Sequence, residues 1–212
     1  MKSAKTKFPR LYMVSNCKGF SSPEKQFPEL VRRVTAHIPV IIQLREKHLN
    51  AKALYKLALT VKRHIHDKDS LLFINERFDI ALASGADGVH FPEKSCPLGK
   101  ALAVSPGMIA GKSTHSLKQA LSAEADGAEY LIFGPVFETP LKKRYGPPMG
   151  LEKLDEICRN VSVPVYAIGG IVPQNARQCI EHGAYGVAAM SVFHSSENLN
   201  RTLANFHAAL EL

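Results

Sequence analysis

Short apolar runs and helix-spaced stretches follow one another in strict turn along the chain, and this rhythm restricts the fold more than any other feature. The runs are "LYMVS" (11–15), "PVIIQLR" (39–45), "LLFIN" (71–75), "GVHF" (88–91), "MIAGKS" (108–113), "YLIFG" (130–134), "VPVYAIGG" (163–170) and "GVAAMS" (186–191). Each is rich in β-branched or apolar residues, as strands are. Between them "PELVRRVTAHI", "AKALYKLALTVKRHI", "SLKQALSAEADGA", "LEKLDEICRN", "QNARQCIEHGA" and "ENLNRTLANFHAAL" carry helical spacing. The strands have few polar residues at alternate positions, so both faces are expected to be buried, as in a parallel sheet covered by helices. Eight such units predict a (β/α)8 barrel, α/β in class, with residues 1–212 forming a single domain. An open doubly wound sheet is the competing architecture, but no glycine-rich dinucleotide loop follows the first strand.

A weak repeat supports the barrel. "ALASGADGVHF", "AEADGAEYLIF" and "CIEHGAYGVAAM" each close a helix on Gly-Ala and then open a strand, with the glycine suited to a left-handed helix end. The irregular stretch "FETPLKKRYGPPMG" (137–150) follows the sixth strand, on the face where barrels keep their chemistry.

Composition narrows the class of partner. The formal net charge is +8, which suits nucleic acid or phosphorylated small molecules. Lys and Arg are scattered with no long basic run, so nucleic acid is not expected. No stretch approaches the apolar length of a membrane span, and the basic N-terminus lacks the apolar block of a signal peptide. Cys17, Cys96, Cys158 and Cys179 form no CxxC pair, which points to a reducing compartment and a cytoplasmic protein.

In a barrel the strand C-terminal ends share one rim. They would bring together Gln43, Arg45 and Lys47, then Asn75, Glu76 and Arg77, then Lys112, Ser113, Thr114 and His115, then Thr139, Lys142 and Lys143, then Gly169 and Gly170, and Ser191. In an extended segment Gln43, Arg45 and Lys47 point the same way and make one cationic row. Cations and hydroxyls suit phosphate oxygens. Glu76 and Asn75 offer oxygens to Mg²⁺, and the glycines after the seventh strand match the phosphate site common in barrels. The pattern suggests one charged, metal-assisted phosphate site and one built from backbone amides. Plainer readings stand beside these. Arg45 and Glu46 can form a structural ion pair, Lys142 and Lys143 can be solvated loop charges, and His90 can be a hydrogen-bonded core residue.

The segments "QLREK", "INERFDIALASGADGVHF", "GKSTHSLKQALSAEADGAEYLIFGPVFETPLK", "AIGGI" and "GVAAMS" resemble, in order, the thiamine phosphate synthase family and its sister group, the TenI-type thiazole tautomerases. The resemblance implies a (β/α)8 transferase of thiamine biosynthesis that joins hydroxymethylpyrimidine diphosphate to thiazole phosphate, with Mg²⁺ as cofactor. By the same resemblance Gln43, Arg45, Lys47, Asn75, Ser113 and Lys142 clamp the diphosphate. Thr139, Gly170 and Ser191 hold the thiazole phosphate, and Glu76 is the metal ligand.

The chain departs from that pattern in places. Glu76 stands where synthases usually have Asp. Ser95 replaces a second metal-binding Asp, and Leu141 replaces a second Thr. A tautomerase, which handles a monophosphate and needs no metal, tolerates such losses. The tautomerase proton carrier is a His, however, and here that position is Pro135. A catalytically silent phosphate-binding or regulatory barrel is the third reading.

Overall fold

The computed structural model describes residues 8–139, 147–194 and 196–211. The strands are β1 (Leu11–Val14), β2 (Val40–Leu44), β3 (Leu71–Asn75), β4 (Gly88–Phe91), β5 (Ile109–Thr114), β6 (Tyr130–Phe133), β7 (Val165–Ile168) and β8 (Gly186–Ala189). They pair in parallel, each with the next, and β8 returns to β1 with Leu11 opposite Val187, so the sheet is a closed eight-stranded barrel. Around it run α1 (Pro23–Thr35), α2 (Ala51–His64), α3 (Phe78–Ser84), α4 (Leu98–Val104), α5 (Leu117–Ala125), α6 (Gly150–Asn160), α7 (Pro173–Glu181), α8 (Ser191–His194) and α9 (Leu199–Leu210). The strands are indeed buried on both faces: all but β3, β5 and β7 are buried at every position. None of the described helices is long and apolar enough to cross a membrane.

The repeat does what its glycines imply. Gly85 closes α3 at φ 62°, and the next amide, on Ala86, donates back to Ala81 O at 3.0 Å. The amides of Ala128 and Ala184 make the same return to Ala123 O and Cys179 O. Each return satisfies a carbonyl that the helix end would orphan, then feeds the chain into a strand.

Helix α1 begins five residues before the spacing predicts. The helically spaced stretch "PELVRRVTAHI" opens at Pro28, but the helix opens at Pro23, a residue suited to the first turn, and Pro28 lies inside it. Helices α3 and α4 escape the spacing because seven residues each are too few to show a period. Strand β7 stops at Ile168 because Gly169 and Gly170 turn to φ 103° and 66°.

The barrel interior is layered. Tyr12, Phe73, Tyr130 and Tyr166 point inward and fill the middle, with ring centroids 5.4 Å apart for Phe73 and Tyr130 and 5.5 Å for Tyr12 and Tyr166. Glycines on neighbouring strands make the room. A Cβ at Gly88 would lie 2.7 Å from the Phe73 ring, and one at Gly111 would enter the Tyr130 ring. Side chains alternate along a strand, so the residues two further on face inward one layer higher. On β2 to β5 those residues, two beyond Ile41, Phe73, Gly88 and Gly111, are Gln43, Asn75, His90 and Ser113, all polar, whereas Val14, Ile132 and Ile168 stand two beyond Tyr12, Tyr130 and Tyr166.

Candidate active site

This polar layer floors the mouth of the barrel. Gln43 is 2% exposed, and its Nε2 donates to Asn75 Oδ1 at 2.8 Å. Across the layer His90 Nε2 lies 2.8 Å from Ser113 Oγ, and His90 Nδ1 lies 3.1 Å from Tyr130 Oη. Tyr130 Oη is in turn 3.1 Å from Tyr12 Oη. Burial, and secondarily the Arg45 charge, push His90 down to about 3, because an imidazolium there would lose its hydration and face another cation. His90 is thus neutral near pH 7, and it supports the floor as a hydrogen-bonded core residue.

Arg45 and Lys47 stand above this floor. The row expected from alternate positions is only partly strand: Gln43 lies in β2, Arg45 one residue beyond its end, and Lys47 in the turn that follows. Both cations are exposed, and among the described residues neither has a carboxylate within ion-pair reach. Glu46 does not pair with Arg45. Its side chain turns the other way and is buried, where Oε1 accepts from the Ser15 hydroxyl and, at 3.1 Å, from Cys17 N. The Ser15 hydroxyl oxygen accepts from Arg45 N at 2.8 Å. Glu46 therefore fixes the backbone that carries Arg45 and leaves the guanidinium uncommitted.

Across the mouth, on the same rim, the loop after β6 lies along the end of β7. Val136 N donates to Ile168 O at 2.8 Å and Phe137 N to Gly169 O at 3.0 Å. A Cβ on Gly170 would strike Glu138 O and come within 2.8 Å of Phe137 Cβ. Gly170 is thus needed because the 137–138 backbone, which leads directly into Thr139, presses against it. Asn175 of α7 secures the turn, its Nδ2 donating to Gly170 O at 2.9 Å and its Oδ1 accepting from Val172 N at 2.9 Å. Ser191 opens α8 just past β8.

Not every expected rim residue reaches the mouth. Ser113 faces inward, so its strand neighbours Lys112 and Thr114 face the helices. Thr114 is 1% exposed, and its hydroxyl has no partner among the described residues. Lys142, Lys143 and Leu141 lie outside the described residues. Glu93 is turned onto α5, where Oε1 accepts from Gln119 Nε2 at 2.7 Å and Oε2 lies 3.8 Å from His115 Nε2. His115 also spends Nδ1 on the Gly134 carbonyl. The supports Ser15 and Tyr130 carry no sequence signal of their own, whereas a carboxylate between two cations in "REK" was a visible clue to Glu46.

A family model described as thiamine monophosphate synthase matches residues 11–193. The chain belongs to that family. It is accordingly an enzyme of thiamine biosynthesis, a transferase. The thiamine-phosphate synthase of Methanocella arvoryzae is 41% identical over 184 residues, covering 86% of this chain and 87% of the relative. That of Desulfitobacterium hafniense is 41% identical over 175 residues, covering 82% and 84%. A solved thiamine phosphate pyrophosphorylase from Pyrococcus furiosus superposes with a TM-score of 0.82 at 30% identity, covering 95% of each chain.

Synthases of this family work with Mg²⁺, and the donors here fit one bound mainly through phosphate. Glu76 is exposed at the end of β3, held at φ 64° with its amide donating to His90 O at 2.8 Å. No cluster of three or more His, Cys, Asp or Glu groups exists among the described residues. One carboxylate suffices for an ion that keeps its waters and takes phosphate oxygens as further ligands.

Proposed function

We propose that this synthase joins hydroxymethylpyrimidine diphosphate to thiazole phosphate, releasing diphosphate and forming thiamine phosphate. The observation that carries the reading is the convergence of Gln43, Asn75, Ser113 and the uncommitted Arg45 and Lys47 on one rim. That set is built for a diphosphate. In the reaction the carbon–oxygen bond to the diphosphate breaks, and both electrons leave with the oxygen. The pyrimidine-methyl cation is then captured by the lone pair of the thiazole nitrogen, which becomes the thiazolium of the product. No proton has to be removed, so the site needs no general base. It needs positive charge and hydrogen-bond donors fixed where the leaving group gains charge.

Arg45 and Lys47 supply the charge, joined by Lys142 from the β6–α6 loop. Asn75 and Gln43 orient the chain of phosphate oxygens, and Ser113 donates a hydrogen bond. Glu76 would hold Mg²⁺, which supplies further positive charge to the departing diphosphate. Thr139, Gly170 and Ser191 would hold the thiazole phosphate across the mouth on the same rim, so that the thiazole nitrogen faces the breaking bond. Both substrates are soluble phosphorylated molecules, and four free cysteines accord with work in the cytoplasm.

Incubation with both substrates and Mg²⁺, followed by chromatography for thiamine phosphate, tests the reading. A protein that makes none, yet isomerises thiazole carboxylate phosphate in the presence of a chelator, would refute it and install the tautomerase reading. That reading requires a proton carrier in the mouth. The candidates are His115 and Glu138, and His115 has Nδ1 committed to the Gly134 carbonyl.

A further inference from the structure

The hydrogen bonds beneath Ser113 form a closed count. Tyr12, Tyr130, His90 and Ser113 stand in a row from the barrel interior to its mouth, joined by contacts of 3.1, 3.1 and 2.8 Å. A neutral His90 gives the row four hydrogens, one on each group, and only three contacts to fill. One hydrogen must therefore be left over. Tyr12, Tyr130 and His90 are 0%, 0% and 2% exposed, and among the described residues the row holds their only side-chain hydrogen-bond partners. Tyr166, the other hydroxyl in the interior, already donates to Pro9 O at 2.6 Å.

If any link runs downward, a hydroxyl or ring hydrogen of Tyr12, Tyr130 or His90 is stranded in the interior. Only one arrangement strands nothing. Tyr12 donates to Tyr130, Tyr130 donates to His90 Nδ1, and His90 Nε2–H donates to Ser113 Oγ. The hydrogen left over is then the hydroxyl hydrogen of Ser113, at the half-buried top of the row. A buried donor without an acceptor loses most of a hydrogen bond, enough to favour the upward order by roughly tenfold or more.

We propose that this buried row fixes the Ser113 hydroxyl as a donor aimed into the mouth, which makes His90 a positioning residue for the diphosphate. The inference rests on the proposed function, since the acceptor it prepares for is the diphosphate oxygen. The floor then meets the anion with a hydrogen already turned toward it, and no reorientation is needed as charge grows there. His90 does this without touching substrate and without changing its protonation.

Two measurements test it. The first is the tautomer of His90, read from nitrogen–proton correlation spectra of histidine-labelled wild-type protein at pH 7, with the resonance assigned by its loss in His90→Gln. The proposal requires the proton on Nε2; a proton on Nδ1 in the wild-type protein overturns it. The second is a double-mutant cycle on the affinity for inorganic pyrophosphate with Mg²⁺, measured by calorimetry. His90→Phe should weaken binding by about fivefold, the scale of an unoriented hydroxyl donor. In a Ser113→Ala background it should change nothing further. His90→Gln, whose amide can donate to Ser113, should recover most of the loss. If Ser113→Ala alone leaves pyrophosphate affinity intact, Ser113 does not meet the diphosphate, and that part of the proposed function falls together with this inference. If Ser113→Ala weakens binding while His90→Phe does not, or the losses add fully in the double variant, the positioning role alone is overturned.

Discussion

Replacing Glu46 with alanine should damage both the fold and the diphosphate site, although Glu46 touches no substrate. Its buried Oε1 accepts from the Ser15 hydroxyl and from Cys17 N. A hydrogen bond to a charged group is worth about 1.5–3 kcal/mol, and a buried donor stripped of its acceptor costs a similar amount. Two donors at the low end give a loss of about 3 kcal/mol. For a chain of this size each kcal/mol shifts Tm by roughly 2–4 °C, so Glu46→Ala should melt about 6–12 °C lower. Glu46→Gln keeps an oxygen in place and should lose only about 1 kcal/mol. Binding should follow, because Ser15 also accepts from Arg45 N at 2.8 Å. Once Ser15 is freed, the backbone under the guanidinium loosens, and pyrophosphate affinity should fall about tenfold in Glu46→Ala. Thermal melts and pyrophosphate titration of the three proteins are the assays. A Tm for Glu46→Ala within about 1 °C of wild type would refute the anchoring argument. Equal damage from Gln and Ala would show that charge, and not an acceptor for Ser15 and Cys17, is what the site requires.

Other consequences can be measured in parallel. Glu76→Gln should lower turnover at least about tenfold, roughly 1.4 kcal/mol of transition-state stabilisation, and raise the Mg²⁺ concentration needed for half-maximal rate; an unchanged Mg²⁺ titration would remove Glu76 from the metal site. Gly170→Ala places a methyl group against the 137–138 backbone, so KM for thiazole phosphate should rise while KM for the pyrimidine diphosphate holds; parallel rises would mean that the two sides of the mouth are not separate pockets. His194 packs against the rings of Phe20 and Phe27 with neither ring nitrogen bonded among the described residues, and burial holds its pKa below the usual histidine value against the opposing pull of Glu46. A histidine depressed in the folded state stabilises above its unfolded pKa of about 6.5 and loses that contribution as pH falls below it. Urea unfolding at pH 7.5 and pH 5 should therefore show a smaller acid loss in His194→Leu than in wild type, and equal losses would refute the assignment.

The fold was legible because burial on both faces writes itself into composition. Runs such as "LLFIN" and "YLIF" have no polar alternation, and helices such as Ala51–His64 are long enough to show a period. Seven-residue helices are not. The site was legible where chemistry sits in one short segment, as in "QLREK". It was not legible where the meaning of a residue depends on which face it takes. Lys112 and Ser113 are neighbours in sequence, yet one residue of register sends one toward the helices and the other into the mouth. Glu46 beside Arg45 reads as a pair in one dimension, but past the end of β2 the Glu46 side chain is held buried by Ser15 and Cys17 while Arg45 is exposed.

That same alternation explains why the mouth can accept a highly charged ligand. On the inward face the four strands β2 to β5 offer Gln43, Asn75, His90 and Ser113, all uncharged near neutral pH, and these groups satisfy one another in two pairs. Outside that layer Glu46 is absorbed by Ser15 and Cys17, and Glu93 by Gln119. Glu46 and Glu93 are thus drawn off the floor, whereas Glu76 stands exposed at its edge and Glu138 is exposed in the loop after β6. Arg45 and Lys47 are left with no internal counter-ion among the described residues, and two nearby cations without one repel. The arrangement carries that repulsion until an anion arrives. Pyrophosphate should consequently stabilise the protein more at low salt than at high salt, by a margin that shrinks as the Debye length falls from about 30 Å at 0.01 M to about 8 Å at 0.15 M. Melting curves at the two salt concentrations, with and without pyrophosphate, decide the matter. A ligand-induced Tm shift independent of salt would mean that the cations are not what holds the diphosphate.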